Sequence, residues 1–170
     1  MNQKVKMKPS YLKIAFLDRD GTLIKDYPDE KWREIKEPEF LEGSIEGLKR
    51  LKEMGYDFII ITNQYLINDG IISLNDYQQF TGKFLKKLKE ENIDILKIYF
   101  CPHNEKDHCH CKKPKPGMIE QAKKDFLIDM NNSIYIGDSQ VDYLLAKHFN
   151  LTFYGINYNG DNVKSYRSIL

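Results

Sequence analysis

Short apolar runs alternate along this chain with stretches whose apolar residues recur every three or four positions. Ile14-Ala15-Phe16-Leu17, Phe58-Ile59-Ile60-Ile61, Ile95–Phe100, Ser133–Ile136 and Leu151–Ile156 are short and largely apolar, and each reads as a buried strand. Ser44 is placed to cap a helix running to about Met54, with Ile45, Leu48 and Leu51 on one face and Gly55 as its stop. Ser73 followed by Asp76 resembles a capping box. The helix it opens carries Tyr77, Phe80, Phe84 and Leu88 as a stripe that reads as core packing. Pro116-Gly117 opens a third helix through Phe126, and a fourth runs from about Val141 to Phe149. Such alternation predicts an α/β fold with a mainly parallel sheet of about five strands. Two stretches lack either period. Ile24–Glu42, with Pro28, Trp32 and Pro38, is an ordered substrate-facing loop or a plain surface connection, and the polar tail from Asn157 receives no assignment.

The strands end on reactive groups: Asp18, Thr62, Cys101 and Asp138. In open parallel sheets, sites form beyond the carboxyl ends of the strands, so this placement points to one shared site. In Asp18-Arg19-Asp20-Gly21-Thr22, two carboxylates two residues apart can face one side of an extended chain. Like charges that close repel by about 4 kcal/mol at ~4 Å and an effective dielectric near 20. A cation, a raised pKa or solvent must offset that; a surface turn facing water is the plain alternative. Asp138 adds a third hard oxygen ligand, and the set suits Mg²⁺. Asp142, one helical turn on, is read as favourable to the helix dipole in preference to a ligand. Thr62 offers a hydroxyl and an N–H to a phosphate oxygen, Asn63 adds an amide, and Lys112, Lys113 and Lys115 form a basic cluster with one lysine reaching inward. These are parts for phosphoryl transfer, in which a carboxylate nucleophile splits a hydrolysis into two steps and a second carboxyl handles the protons.

Composition narrows the picture. With 170 residues, 41% hydrophobic and 30% charged, the chain is expected to form a single domain over residues 1–170. A formal net charge of +1 supplies no broad field for nucleic acid or a membrane, so neither is expected as a partner. Met1–Lys8 carries lysines without an apolar segment after them and does not read as a signal peptide; a cytoplasmic monomer is expected. All three cysteines fall between 101 and 111, which fits a metal loop over 101–116 better than disulfides. Cys101, Cys109 and Cys111 supply three sulfurs. His103 alternates with Cys101 and is the expected nitrogen donor of a closed, structural Cys₃His zinc site.

The motif set resembles the haloacid dehalogenase (HAD) superfamily of phosphatases from residue 14 to about 150. Asp18–Thr22 looks like its first motif, Thr62 its second, Lys113 the lysine of its third, and Gly137-Asp138-Ser139 with Asp142 its fourth. The resemblance implies a Rossmann-like three-layer sandwich with no separate cap domain. It also implies Asp18 as nucleophile, Asp20 as general acid/base, and Mg²⁺ held by the Asp18 carboxylate, the Asp20 carbonyl and Asp138. Thr62, Asn63, Lys112 and Lys113 would bind phosphate or substrate. The zinc-loop segment through Lys-Pro-Lys-Pro-Gly-Met118 is similar to the zinc-bearing branch, which holds heptose bisphosphate phosphatases and histidinol-phosphate phosphatases. The Lys-Pro-x-Pro-Gly-Met ending resembles the former and the short gap from His103 to Cys109 the latter; the stand-alone chain turns the expectation to the heptose side, with a small sugar phosphate, D-glycero-D-manno-heptose 1,7-bisphosphate, as substrate and histidinol phosphate as the alternative. Tyr65, Leu66, Ser139 and Lys112 depart from the branch's usual residues, which leaves the chemistry intact and bears on substrate. From another class, a phosphoacceptor receiver domain also gathers Asp, Thr, Lys and Mg²⁺, but has no use for a second carboxylate at Asp20 or for a zinc loop.

Overall fold

The computed structural model describes residues 10–158, 160 and 165–166. Met1–Lys8 and most of the tail after Asn157 lie outside them. The strands are β1 (Ile14–Leu17), β2 (Asp57–Asn63), β3 (Ile95–Cys101), β4 (Ile134–Gly137), β5 (Thr152–Ile156) and β6 (Ser165–Tyr166). The helices are α1 (Ser44–Glu53), α2 (Leu74–Glu90), α3 (Gly117–Asp125) and α4 (Gln140–His148). All pairings between the named strands are parallel, in the order β3-β2-β1-β4-β5-β6.

The apolar runs produce three layers because successive strand residues point to opposite faces. Ala15, Leu17, Phe58 and Ile60 meet Leu48 of α1 and Phe80, Phe84 and Leu88 of α2. Ile14, Phe16, Ile59 and Ile61 meet Met118, Ile119 and Ala122 of α3 and Leu145 and Ala146 of α4. A sheet covered on both faces needs near-continuous apolar strands, which is what β1 and β2 supply. Chain order runs from β1 outward to β3 on one side and from β4 outward to β6 on the other. The β1–β4 seam is therefore the switch point where such folds open a crevice.

One expectation needs correction, the cap of α1, and two others are filled in. The sheet has six strands, since β6 adds two residues of the tail to β5, too short to show any period. The cap of α1 is Gly43, at φ 78°, a left-handed conformation that glycine adopts without steric cost; Ser44 is the first helical residue and is buried. Residues 24–42 are an ordered wall. Ile24 bridges Phe40, Trp32 packs edge-on against Phe80, and Arg33 donates to the carbonyls of Gly70 and Ile71. Lys83 and Lys87 of α2 hold the carbonyls of Lys36 and Pro38.

Candidate active site

Asp18 follows the last residue of β1, and its N–H donates to Ile136 O of β4 at 2.9 Å, which seats it on the switch-point seam. Gly21 then turns the chain at φ 84°. A Cβ there would stand 2.1 Å from Asp138 Oδ2, so this position needs glycine for the conformation and for the space. Asp18, Asp20, Thr62, Asn63, Gln64, Lys113 and Asp138 line one cavity of about 210 Å³, open to solvent and walled further by Asp26, Asp29, Trp32 and Tyr65.

The centre is a buried ion cluster. Lys113 Nζ donates to Asp18 Oδ1 (2.6 Å), Asp142 Oδ1 (2.7 Å) and Ile61 O (2.9 Å). Burial is the largest influence on the Lys113 ammonium and disfavours its charge, yet Asp142 and Asp18 together hold its pKa above the usual lysine range. Burial pushes the Asp18 carboxyl well above the ordinary carboxylate range; Lys113 opposes this while Asp142, Asp138 and Asp20 add to it. Asp138 is pushed up to about 6, by burial first and then by Asp142, with Lys113 opposing.

Asp18, Asp138 and Asp142 bring oxygens within 4.8 Å of one another. Fully ionised, three carboxylates against one ammonium leave a net charge of −2, which suits one divalent cation. Asp142 is already committed. Its Oδ1 accepts from Lys113 and from Tyr135 OH (2.9 Å), and its Oδ2 from the Ser139 N–H (3.2 Å) and hydroxyl (2.5 Å). Asp18 and Asp138 are thus the side chains with oxygen left for a cation, and hard Mg²⁺ commonly uses one or two carboxylates. The dipole reading of Asp142 was incomplete: it closes the capping box of α4 and also anchors Lys113.

Asp20 holds a different set of partners. Its Oδ1 accepts from Arg19 Nε (2.8 Å) and its Oδ2 from Arg19 Nη2 (2.9 Å) and Gln64 Nε2 (2.7 Å). Gln64 also donates to Thr62 Oγ1 (2.9 Å). Asn63 clasps the Lys113 backbone, accepting from its N–H and donating to its carbonyl. Lys112 is not among the cavity's lining residues. It pairs with Glu105 at 2.7 Å and lies over the Tyr65 ring. Sequence reasoning gave no role to Arg19, Gln64, Asp26 or Asp29. Gln64 could have been found, since it alternates with Thr62 at a strand end and so shares its side.

At the end of β3, Cys101, His103, Cys109 and Cys111 gather, with donor atoms again within 4.8 Å. Cys101 Sγ lies 3.5 Å from His103 Nδ1, 3.6 Å from Cys109 Sγ and 2.8 Å from Cys111 Sγ, while His103 Nδ1 lies 3.2 Å from Cys111 Sγ. Tetrahedral donors at zinc bond lengths stand roughly 3.5–3.8 Å apart; the spacing of Cys101 to His103 and Cys109 matches this, and Cys111 Sγ, which stands closer, would move outward to take its place at the ion. His110 turns outward to Glu120 (2.8 Å), as the alternation requires.

Residues 13–154 match the family described as polynucleotide kinase 3 phosphatase. A D-glycero-alpha-D-manno-heptose-1,7-bisphosphate 7-phosphatase of Photorhabdus laumondii is 42% identical over 144 residues, 80% of this chain and 77% of that one. A D-glycero-beta-D-manno-heptose-1,7-bisphosphate 7-phosphatase of Pasteurella multocida is 41% identical over 79% of this chain and 76% of its own. Among solved structures, a D,D-heptose 1,7-bisphosphate phosphatase from B. bronchiseptica, complexed with magnesium and phosphate, aligns with a TM-score of 0.81 at 22% identity, covering 93% of this chain and 94% of that one.

Proposed function

This chain belongs to the polynucleotide kinase 3 phosphatase family, within the HAD superfamily, and on that premise we propose that it is a Mg²⁺-dependent phosphatase that takes the 7-phosphate from D-glycero-D-manno-heptose 1,7-bisphosphate. The observation that carries this reading is the Lys113 bridge, which pins one oxygen of Asp18 at the cavity floor beside Asp138. The names of the relatives supply the sugar.

In this reading an Asp18 oxygen attacks phosphorus, a bond from Asp18 to phosphorus forms, and the P–O ester bond breaks with its electron pair on the leaving oxygen. The Asp20 carboxyl gives that oxygen a proton. Water then attacks phosphorus, gives a proton to the Asp20 carboxylate, and the Asp18–phosphorus bond breaks to release phosphate. Lys113 and the Thr62 hydroxyl neutralise and orient the transferring group from the cavity floor. Asp18 and Asp138, with the Asp20 carbonyl, would hold Mg²⁺, which supplies Lewis-acid stabilisation of the phosphoryl charge. No helix among the described residues is long and apolar enough to cross a membrane.

A second reading has its own observation. Asp26 and Asp29 line the cavity and, among the described residues, take hydrogen bonds from uncharged donors: the Tyr27 N–H and Trp32 Nε1 at Asp26, and the Tyr65 hydroxyl at Asp29. A wall with two such carboxylates suits an ammonium, which favours histidinol phosphate. The two readings part on phosphate release from heptose bisphosphate, histidinol phosphate and a 3′-phosphorylated oligonucleotide. The highest kcat/KM should fall to the bisphosphate, with its 1-phosphate retained; a higher value for histidinol phosphate or the oligonucleotide would overturn that choice.

Two cation tests follow. A folded-state pKa of about 6 for Asp138, against 3.8 for a free carboxyl, means that the folded chain keeps a proton the unfolded chain has released. That contribution is fully present below about pH 4 and is lost as pH rises to about 6. A divalent cation competes with the same proton. Mg²⁺ should therefore raise the unfolding midpoint more at about pH 7.5 than at about pH 5; equal shifts would contradict the assignment. For zinc, elemental analysis should find about one equivalent per chain in the wild type and none in Cys109→Ser, with a lowered unfolding midpoint. A zinc-free wild type would end the zinc reading.

A further inference from the structure

Arg19 is a buried cation for which the reaction just described has no task. It stands between the two catalytic acids in sequence, is 1% exposed, and does not line the cavity. Its guanidinium spans two parts of the fold. One edge makes the two-pronged contact with Asp20, Nε to Oδ1 at 2.8 Å and Nη2 to Oδ2 at 2.9 Å. The remaining nitrogen, Nη1, donates to Thr81 Oγ1 of α2 at 3.2 Å. The planar group lies 5.4 Å from the Tyr77 ring centre and 5.2 Å from that of Phe80, both on α2. Asp20 is thus clamped from α2 through Arg19 and from the end of β2 through Gln64 Nε2 at 2.7 Å.

We infer that Arg19 is a positioning residue: its guanidinium fork fixes the Asp20 carboxyl where it can meet the leaving oxygen, and Thr81, Tyr77 and Phe80 fix the fork. The geometry favours this over a mere charge pair. A lysine in the same place would neutralise Asp20 equally but could not hold both of its oxygens in one plane. Misplacing a reacting group by about 1 Å from a remote change can cost on the order of 10²-fold. The inference rests on the reading of Asp20 as proton donor.

The test exploits leaving groups. An alkyl phosphate needs a proton on the departing oxygen, whereas p-nitrophenyl phosphate expels a stable anion. The quantity compared is kcat/KM, which includes only steps through the first P–O cleavage and so excludes the later water attack. In Arg19→Met and in Arg19→Lys, kcat/KM for the sugar phosphate should fall about 10²-fold while that for p-nitrophenyl phosphate stays within about threefold. Both esters are assayed on one sample, so any loss of folded protein cancels in the ratio. In an Asp20→Asn background, Arg19→Met should cost nothing further on the sugar phosphate, since the carboxyl it positions is gone. Equal losses on the two esters, or a full additional loss in the double variant, would overturn the role of Arg19 alone. Absence of phosphate release from both esters by the wild type would overturn the phosphatase reading and this inference with it.

Discussion

Asp18→Asn should lower turnover by about 10⁴-fold or more while leaving the fold intact. The amide oxygen can still accept from Lys113 Nζ, which lies 2.6 Å from Asp18 Oδ1, and the amide nitrogen in place of Oδ2 can donate to the Thr22 hydroxyl oxygen, 3.2 Å away. What the amide lacks is the electron pair of an anionic nucleophile. The substitution also removes one of three acids crowded within 4.8 Å, so the unfolding midpoint without added cation should hold or rise. Activity of the purified variant is the readout, beside its thermal melt. Residual turnover within about tenfold of the wild type would mean that Asp18 is not the nucleophile.

Lys113→Met should produce the largest loss of stability. The ammonium serves three acceptors at once and its side chain is 3% exposed, against 8% for Asp18 and 0% for Asp142. Removing one member of a buried ion network strands the others, at a cost of about 3–5 kcal/mol. For a chain of this size that lowers the unfolding midpoint by roughly 6–20 °C. Adding Asp142→Asn should recover part of the loss, because the second stranded charge goes with it. Turnover should fall about 10²–10³-fold, as when one preorganised donor to a transition state is removed. A midpoint within about 2 °C of the wild type would show that the bridge contributes nothing to the fold.

Much of the site was legible because its parts sit at the ends of apolar runs. Asp18, Thr62, Cys101 and Asp138 follow or close β1 to β4, and parallel pairing brings all four strand ends to one edge of the sheet. The cysteine cluster was legible for a different reason, since Cys101 closes β3 and the loop after it returns Cys109 and Cys111 to the same place. Adjacent lysines were harder to separate. Lys112 and Lys113 carry the same charge, but the first goes to Glu105 and Tyr65 and the second reaches Asp18 and Asp142.

Asp142 was ambiguous on principle. A carboxylate at the third residue of a helix satisfies the capping box whether or not it also holds a lysine 29 positions away. Asp26, Asp29 and Trp32 lie in a segment without periodicity, so no pattern tied them to the cavity; hydrogen bonds donated by Lys83 and Lys87 of α2, and by Arg33 to the 70–71 carbonyls, place that segment. Arg19 escaped notice because an arginine between two acids reads as local charge balance. Its burial against Tyr77 and Phe80 depends on α2, more than fifty positions on.

Whether phosphate leaves by way of the protein itself is decided by rapid-quench labelling. Substrate carrying radiolabelled phosphate is mixed with the wild-type enzyme and Mg²⁺ and stopped in acid within a single turnover. A transient, hydroxylamine-sensitive label should appear on the peptide containing Asp18 and disappear on a chase with unlabelled substrate. Phosphate release with no label on the protein at any time, or a label on a peptide without Asp18, would contradict the account.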